Sequence, residues 1–339
     1  MTISASPNRF LTSTGIEIYQ IPVEAFPGFG AYCYLIPGIN EPTLIDTGSG
    51  LGSSNTDLLS GLKQLPELFG ITFQVSDIRR IIITHGHIDH FGGLGFIQEL
   101  TGAKVGIHRL DRRVLESYEE RVIVATKDLR VYLERAGVDP QLRNGLMEMY
   151  GFAKRSFRSV PVDFPLYDHL NIDGMIFYHA PGHCPGQVCI SIDNVLLSAD
   201  HILSKTTPHQ SPESITHYTG LGHYFDALRY ISHVPGVELA LGGHEEPIHD
   251  VYTRISDIRA SHDRKLNRVM DAIKAAGRPC SISEVVQAVY PDKRGYDSLL
   301  ALEEAGAHVE YLYEHGHLEV SNLKQVEQEE NPALYFDLA

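Results

Sequence analysis

Seven consecutive positions constrain this chain more than the rest of its length. The run Thr84-His85-Gly86-His87-Ile88-Asp89-His90 directly follows Arg80-Ile81-Ile82-Ile83, which reads as a buried strand. A strand end holds the next loop's backbone rigid and turns its side chains into a cleft. Three histidines and an aspartate then share one loop. Packing them as ordinary core would bury polar atoms without partners, at several kcal/mol each. Imidazole and carboxylate are the nitrogen and oxygen donors that zinc accepts, so this loop reads as a metal-binding element.

Three further positions repeat the design. His183 sits in the turn Ala180-Pro181-Gly182-His183 after the strand-like run Met175–His179. Asp200 ends the run Asn194-Val195-Leu196-Leu197-Ser198-Ala199, and His244 follows Val237–Gly243. Seven donors exceed what one tetrahedral ion can use, so two divalent ions are implied. Zinc is the first choice, with iron or manganese compatible with the same donors.

The surroundings suit such a site. Short strand-like runs open the chain, residues 54–67 carry leucines at helical spacing, and strands and helices then alternate, as in helices packed on sheets. Residues 110–158 are a charged helical insertion carrying Tyr118, Tyr132, Met147, Met149, Tyr150 and Phe152, the side chains of a lid that could shape a substrate pocket. A long amphipathic helix covers 251–277, and the tail reads helix, helix, short strand, with a frayed acidic end from 324.

Composition narrows the partners. A net charge of -15 repels phosphate backbones and anionic membranes unless basic residues are segregated on one face. The four cysteines form no CxxC pair and no framework of bridges. No window approaches the ~20 apolar residues of a membrane span, and the first residues lack a secretory pattern, so a cytoplasmic location is expected.

The pattern His85-x-His87-x-Asp89-His90, then His183, Asp200 and His244, with Asp46 in Leu44-Ile45-Asp46-Thr47-Gly48, resembles the metallo-β-lactamase superfamily over about residues 10–265. The resemblance implies an α/β fold, the αββα sandwich, as a catalytic domain over 1–265. A small winged-helix-like domain is expected over 266–339. Carried over residue by residue, it implies that His85, His87 and His183 hold one ion. Asp89, His90 and His244 hold the other, and Asp200 bridges them. Asp46 orients a ligand. Between two such ions a bridging water becomes a hydroxide nucleophile near neutral pH, with Asp89 steering its proton.

Within the superfamily, the bridging Asp200 sets the chain apart from the secreted β-lactamases. His87 stands where the oxygen-reducing diiron branch resembles HxExDH. What remains resembles the glyoxalase-II-like and lactonase-like hydrolases, which act on a small acyl substrate: a carboxylic ester, thioester or lactone. The lactonase-type Tyr after the bridging Asp is absent here, the run being Asp200-His201-Ile202-Leu203. The tail also resembles that of lactamase-like endoribonucleases, which keeps a phosphodiesterase or endoribonuclease as the alternative. An inactive metal-binding sensor is a third reading, and the intact ligand set argues against it. From residue 278 onward four basic residues face twelve acidic ones, so the tail is expected to pack on the catalytic domain or in a homodimer rather than on nucleic acid.

Overall fold

A computed structural model of the chain describes residues 6–153 and 157–339, with side chains described for 6–151 and 157–339. The chain forms two packed units. One comprises the residues up to 118, 158–208 and 227–255, and the other 119–157, 209–226 and 256–339.

The first unit holds two sheets. Seven strands lie in chain order in the first: β1 (Asn8–Leu11), β2 (Glu17–Phe26), β3 (Phe29–Ile36), β4 (Thr43–Ile45), β5 (Arg80–Ile83), β6 (Lys104–His108) and β7 (Phe164–Leu166). β1 to β4 pair antiparallel, and β4 to β7 pair parallel. The second sheet runs β12 (Leu239–Gly242), β11 (Val195–Ala199), β10 (Val188–Ile192), β9 (Met175–His179) and β8 (Asn171–Ile172). Its single parallel pair is β11 with β12.

One apolar cluster joins the sheets. Ile18, Tyr34, Ile45 and Ile82 of the first meet Phe177, Ile190, Leu197 and Leu241 of the second. Removing these side chains from water is the main stabilisation of the unit. All four residues of β5 are buried, as a parallel strand covered on both faces requires. One of them is Arg80. Its guanidinium is tolerated because Glu41 and Asp173 neutralise it at 2.7 and 2.9 Å. The first unit is mixed α/β, its two sheets packed on a shared core as the expected αββα sandwich requires.

Topology explains where the donors meet. Parallel neighbours end on the same side, so the segments after β4 and β5 emerge together, as do those after β11 and β12. Asp46 follows β4, the histidine run follows β5, Asp200 follows β11 and His244 comes just after β12. Asp46 and Ala199 hold positive φ angles of 60° and 44°, a sparsely occupied region for residues with a Cβ.

The second unit is mainly helical. Helices Tyr118–Arg135 and Pro140–Ala153 fall almost entirely in it, and it also contains Ile282–Val289, Tyr296–Glu314 and Leu323–Gln328. Ser281 and Glu284 start helix Ile282–Val289 with a reciprocal capping box. The Tyr132 hydroxyl is buried and donates to Leu302 O at 2.5 Å, so it is used in packing the tail. Phe152 lies outside the residues whose side chains are described.

The end of the chain differs from the frayed segment expected. β14 (Phe336–Leu338) pairs antiparallel with β13 (Leu318–Val320), and Phe336 exchanges backbone hydrogen bonds with Cys280. Three residues are too few for alternation to reveal a strand, and buried Phe336 supplies the anchoring that the sequence pattern hides. All four cysteines are buried and free. Among the described residues no helix is long and apolar enough to cross a membrane.

Candidate metal centre

Asp46 organises the histidine loop before any ion is considered. Its carboxylate accepts from the Thr84 backbone N–H, the Thr84 hydroxyl and His90 Nδ1, each at 2.8 Å. Thr84 Oγ1 also lies 3.1 Å from His85 Nδ1. Both His85 and His90 are therefore oriented through one buried carboxylate, leaving His90 Nε2 directed away from Asp46. His244 is fixed in the same manner, its Nδ1 lying 2.7 Å from Gly30 O and its ring against Phe29. A backbone carbonyl can only accept a hydrogen bond, so Nδ1 carries the proton there and Nε2 is the atom turned toward Asp89 and Asp200.

Two groups of donors result. Ligand atoms of His85, His87 and His183 lie within 4.8 Å of one another, and those of Asp89, His90, Asp200 and His244 do the same. His85 Nε2 and His87 Nδ1 approach to 3.1 Å. Asp200 faces both groups: its Oδ2 is 3.7 Å from His183 Nε2 and 3.2 Å from His244 Nε2, and its Oδ1 is 3.4 Å from His90 Nε2. His244 Nε2 is also 3.3 Å from Asp89 Oδ2. All seven residues singled out by sequence, with Asp46 behind them, thus stand in one cluster.

Electrostatics divides the groups. Burial, with the neighbouring His90 and His87, holds His85 well below the usual histidine range, so it is a neutral donor. Burial pushes His90 and His244 the same way, but carboxylates outweigh it. Asp200, Asp46 and Asp89 hold His90 well above its ordinary value, and Asp200 and Asp89 raise His244 to about 10. Burial likewise opposes ionisation of Asp89 and Asp200. Their histidine neighbours win, taking Asp89 to about 2 and Asp200 well below the carboxylate range. In the second group the carboxylates and imidazoles thus hold one another in their charged forms.

The donors also fit a metal by their unmet needs. His90 Nε2 and Asp200 Oδ1 are buried without a hydrogen-bond partner among the described residues. A divalent ion beside them would meet both needs at once.

Several residues important to this geometry are absent from the sequence argument. A Cβ on Gly243 would collide with Asp200 Oδ1 and the His90 ring, so the glycine makes room for the donors. Buried Asp111 accepts from the Gly86 and Gly186 backbone N–H groups at 2.8 and 2.9 Å and from Cys184 Sγ at 3.2 Å. It shares the design of the recognised donors, an acid just beyond a strand end, but its charged neighbours read as the start of a surface helix. Glu245 accepts from the Lys205 and Thr206 backbone N–H groups. His209 is engaged by Glu303 and His223 by Glu213, all within the second unit.

Known proteins agree with this arrangement. A structure of a metallo-beta-lactamase family protein from Thermus thermophilus is similar over 95% of this chain and 98% of its own, with 24% identity and a TM-score of 0.75. A beta-lactamase domain protein from Burkholderia ambifaria matches over 100% and 95%, with 20% identity and a TM-score of 0.73. At such identities the likeness concerns the fold. The transcription termination factor FttA of Methanosarcina mazei is 25% identical over 188 residues, 52% of this chain, which spans about a quarter (26%) of that relative's length. The family profile described as the metallo-beta-lactamase superfamily matches residues 26–272, which include every donor described above. With that match across most of its length, the chain belongs to the metallo-β-lactamase superfamily.

Proposed function

We propose that the chain is a dinuclear metal-dependent hydrolase of carboxylic esters, thioesters or lactones, of the glyoxalase-II-like or lactonase-like kind, and that zinc is its ion. The observation that carries this reading is Asp200, a carboxylate within 4 Å of histidines from both donor groups. A single-ion site has no use for a carboxylate so shared. In this reading His85, His87 and His183 hold one ion, Asp89, His90 and His244 the other, and Asp200 spans them. Two bound dications would supply Lewis acidity and activate water. The chain's own contribution is orientation. Asp46 and Gly30 O fix the histidine rings, and Asp89, kept ionised, is available to hold a proton near the second group.

A second reading follows from the likeness to FttA, whose name attaches it to transcription, and makes the substrate a nucleic acid. The winged-helix-like reading of the tail is compatible with both. The charge of -15 and the excess of acidic residues after 278 favour the small acyl substrate.

Metal analysis of protein purified without chelator is expected to give two ions per chain. Asp200→Ala should lower occupancy and activity together. Turnover in a thioester and lactone panel, with RNA affinity weak even at low salt, supports the primary reading. One ion per chain, unchanged by added metal, would refute the dinuclear centre. Tight, steeply salt-dependent RNA binding would favour the second reading.

A further inference from the structure

We infer that Asp111 is a positioning residue that clamps together the two loops supplying the first donor group. This inference rests on the assignment of His85, His87 and His183 to one ion. Those histidines come from segments nearly a hundred residues apart in sequence, the run after β5 and the turn after β9. One backbone bond, from Val188 N to Thr84 O at 3.0 Å, joins the two segments directly. Asp111 touches both. Its Oδ2 accepts from Gly86 N, between His85 and His87, and its Oδ1 accepts from Gly186 N, three residues after His183. The Cys184 thiol, next to His183, adds a third bond to Oδ2.

The fit is close on both sides. A Cβ on Gly186 would lie 2.6 Å from Asp111 Cγ, and one on Gly86 3.3 Å from Asp111 Oδ2. Glycine at both positions lets the backbone N–H groups reach one carboxylate. The residue is 1% exposed, so water does not compete for these bonds. The requirement is for an acid. Two N–H groups approach different oxygens, and the amide of asparagine would turn an NH₂ toward one of them. No comparable bond runs from Asp111 to Asp89, His90 or His244 among the described residues. Its bonds are made at Gly86, Cys184 and Gly186, the residues beside His85, His87 and His183, so the first group should feel their loss most.

Two measurements on Asp111→Asn and Asp111→Ala test this. In the metal-free chain, hydrogen exchange at residues 84–90 and 181–187 should accelerate together, with β2 and β3 unchanged as an internal reference. In a zinc titration against a chromophoric chelator, one binding class should weaken about 10–100-fold, the usual effect of losing a group that orients ligands, while the other stays within about twofold. Exchange confined to one loop, or unchanged in both, overturns the clamp. Equal weakening of both classes also overturns it, because a general loss of stability would act on the whole cleft. Coupled exchange in a chain that binds no zinc would leave the clamp standing and remove the metal reading instead.

Discussion

Gly243→Ala isolates the geometry of the centre with one methyl group. The position does not lie in the left-handed region, so alanine meets no conformational penalty. The cost is steric. The added Cβ would sit 2.5 Å from His90 Cε1 and closer still to Asp200 Oδ1, where ordinary contact begins near 3.4 Å. The backbone cannot retreat, because Gly243 N donates to Ala199 O at 2.9 Å and Gly243 O accepts from Tyr32 N at 2.8 Å. The side chains must give way by about 1 Å, twice the roughly 0.5 Å that a preorganised site tolerates. Overpacking of this kind costs about 1–3 kcal/mol. The displaced donors should lose about 10–100-fold in metal affinity, which corresponds to about 1.4–2.8 kcal/mol. Urea unfolding of the chelated chain reads the first effect, and chelator competition reads the second. Gly145→Ala, where no atom lies within 4 Å of the new Cβ, is the control. A Gly243→Ala protein that keeps two ions at parental affinity would refute the placement of Asp200 and His90 around this glycine.

Two further outcomes are expected. Asp46→Asn keeps the volume but sets an NH₂ against one of three donors, so it should weaken metal binding about tenfold or more and expose Thr84 N–H to exchange; parental affinity would show that His90 is oriented by something else. His209 gives a pH signature in the second unit: burial opposes its charge, but Glu303 and Glu304 outweigh this and raise it to about 9. A folded value above the unfolded 6.5 stabilises fully below pH 6.5, and that contribution is lost as pH rises through about 9. At about 1.4 kcal/mol per pH unit the ceiling is roughly 3 kcal/mol, and solvent at a side chain 29% exposed reduces it to about 1–2 kcal/mol. Urea melts of His209→Gln should lose this slope between pH 6.5 and about 9, and parallel curves for parent and variant would refute the pairing.

The donors were legible because each carries its chemistry in its own identity and sits at the end of a readable strand. Three isoleucines mark β5, and the next seven residues name their function without reference to any distant partner. Long amphipathic helices such as Val251–Ala276 declare themselves for the same reason, by local period. Asp111 could not be read this way. Its partners are 25 and 75 positions away, and its own neighbours, Arg109, Arg112 and Arg113, describe a solvated helix start. Gly243 is equally silent, since a glycine before a histidine reads as a turn until Asp200 and His90 are seen beside it. Tyr132, one of the side chains that suggest a lid, bonds Leu302 O, because a tyrosine's role depends on which side of the helix is covered.

The residues that frame the centre also divide it. Asp46 reaches His90 directly and His85 through Thr84, so its influence extends to both donor groups. Asp111 bonds the backbone beside His85, His87 and His183, on two loops of which the first also carries Asp89 and His90. Gly30 O orients His244 alone, in the group where carboxylates gather. Neutral His85 belongs to the first group, and the histidines held as cations by Asp89 and Asp200 belong to the second. His85 could therefore take an ion without first giving up a proton, whereas His90 and His244 would give up theirs. The shared Asp200 then couples the two groups, since an ion on either side alters the field at the other.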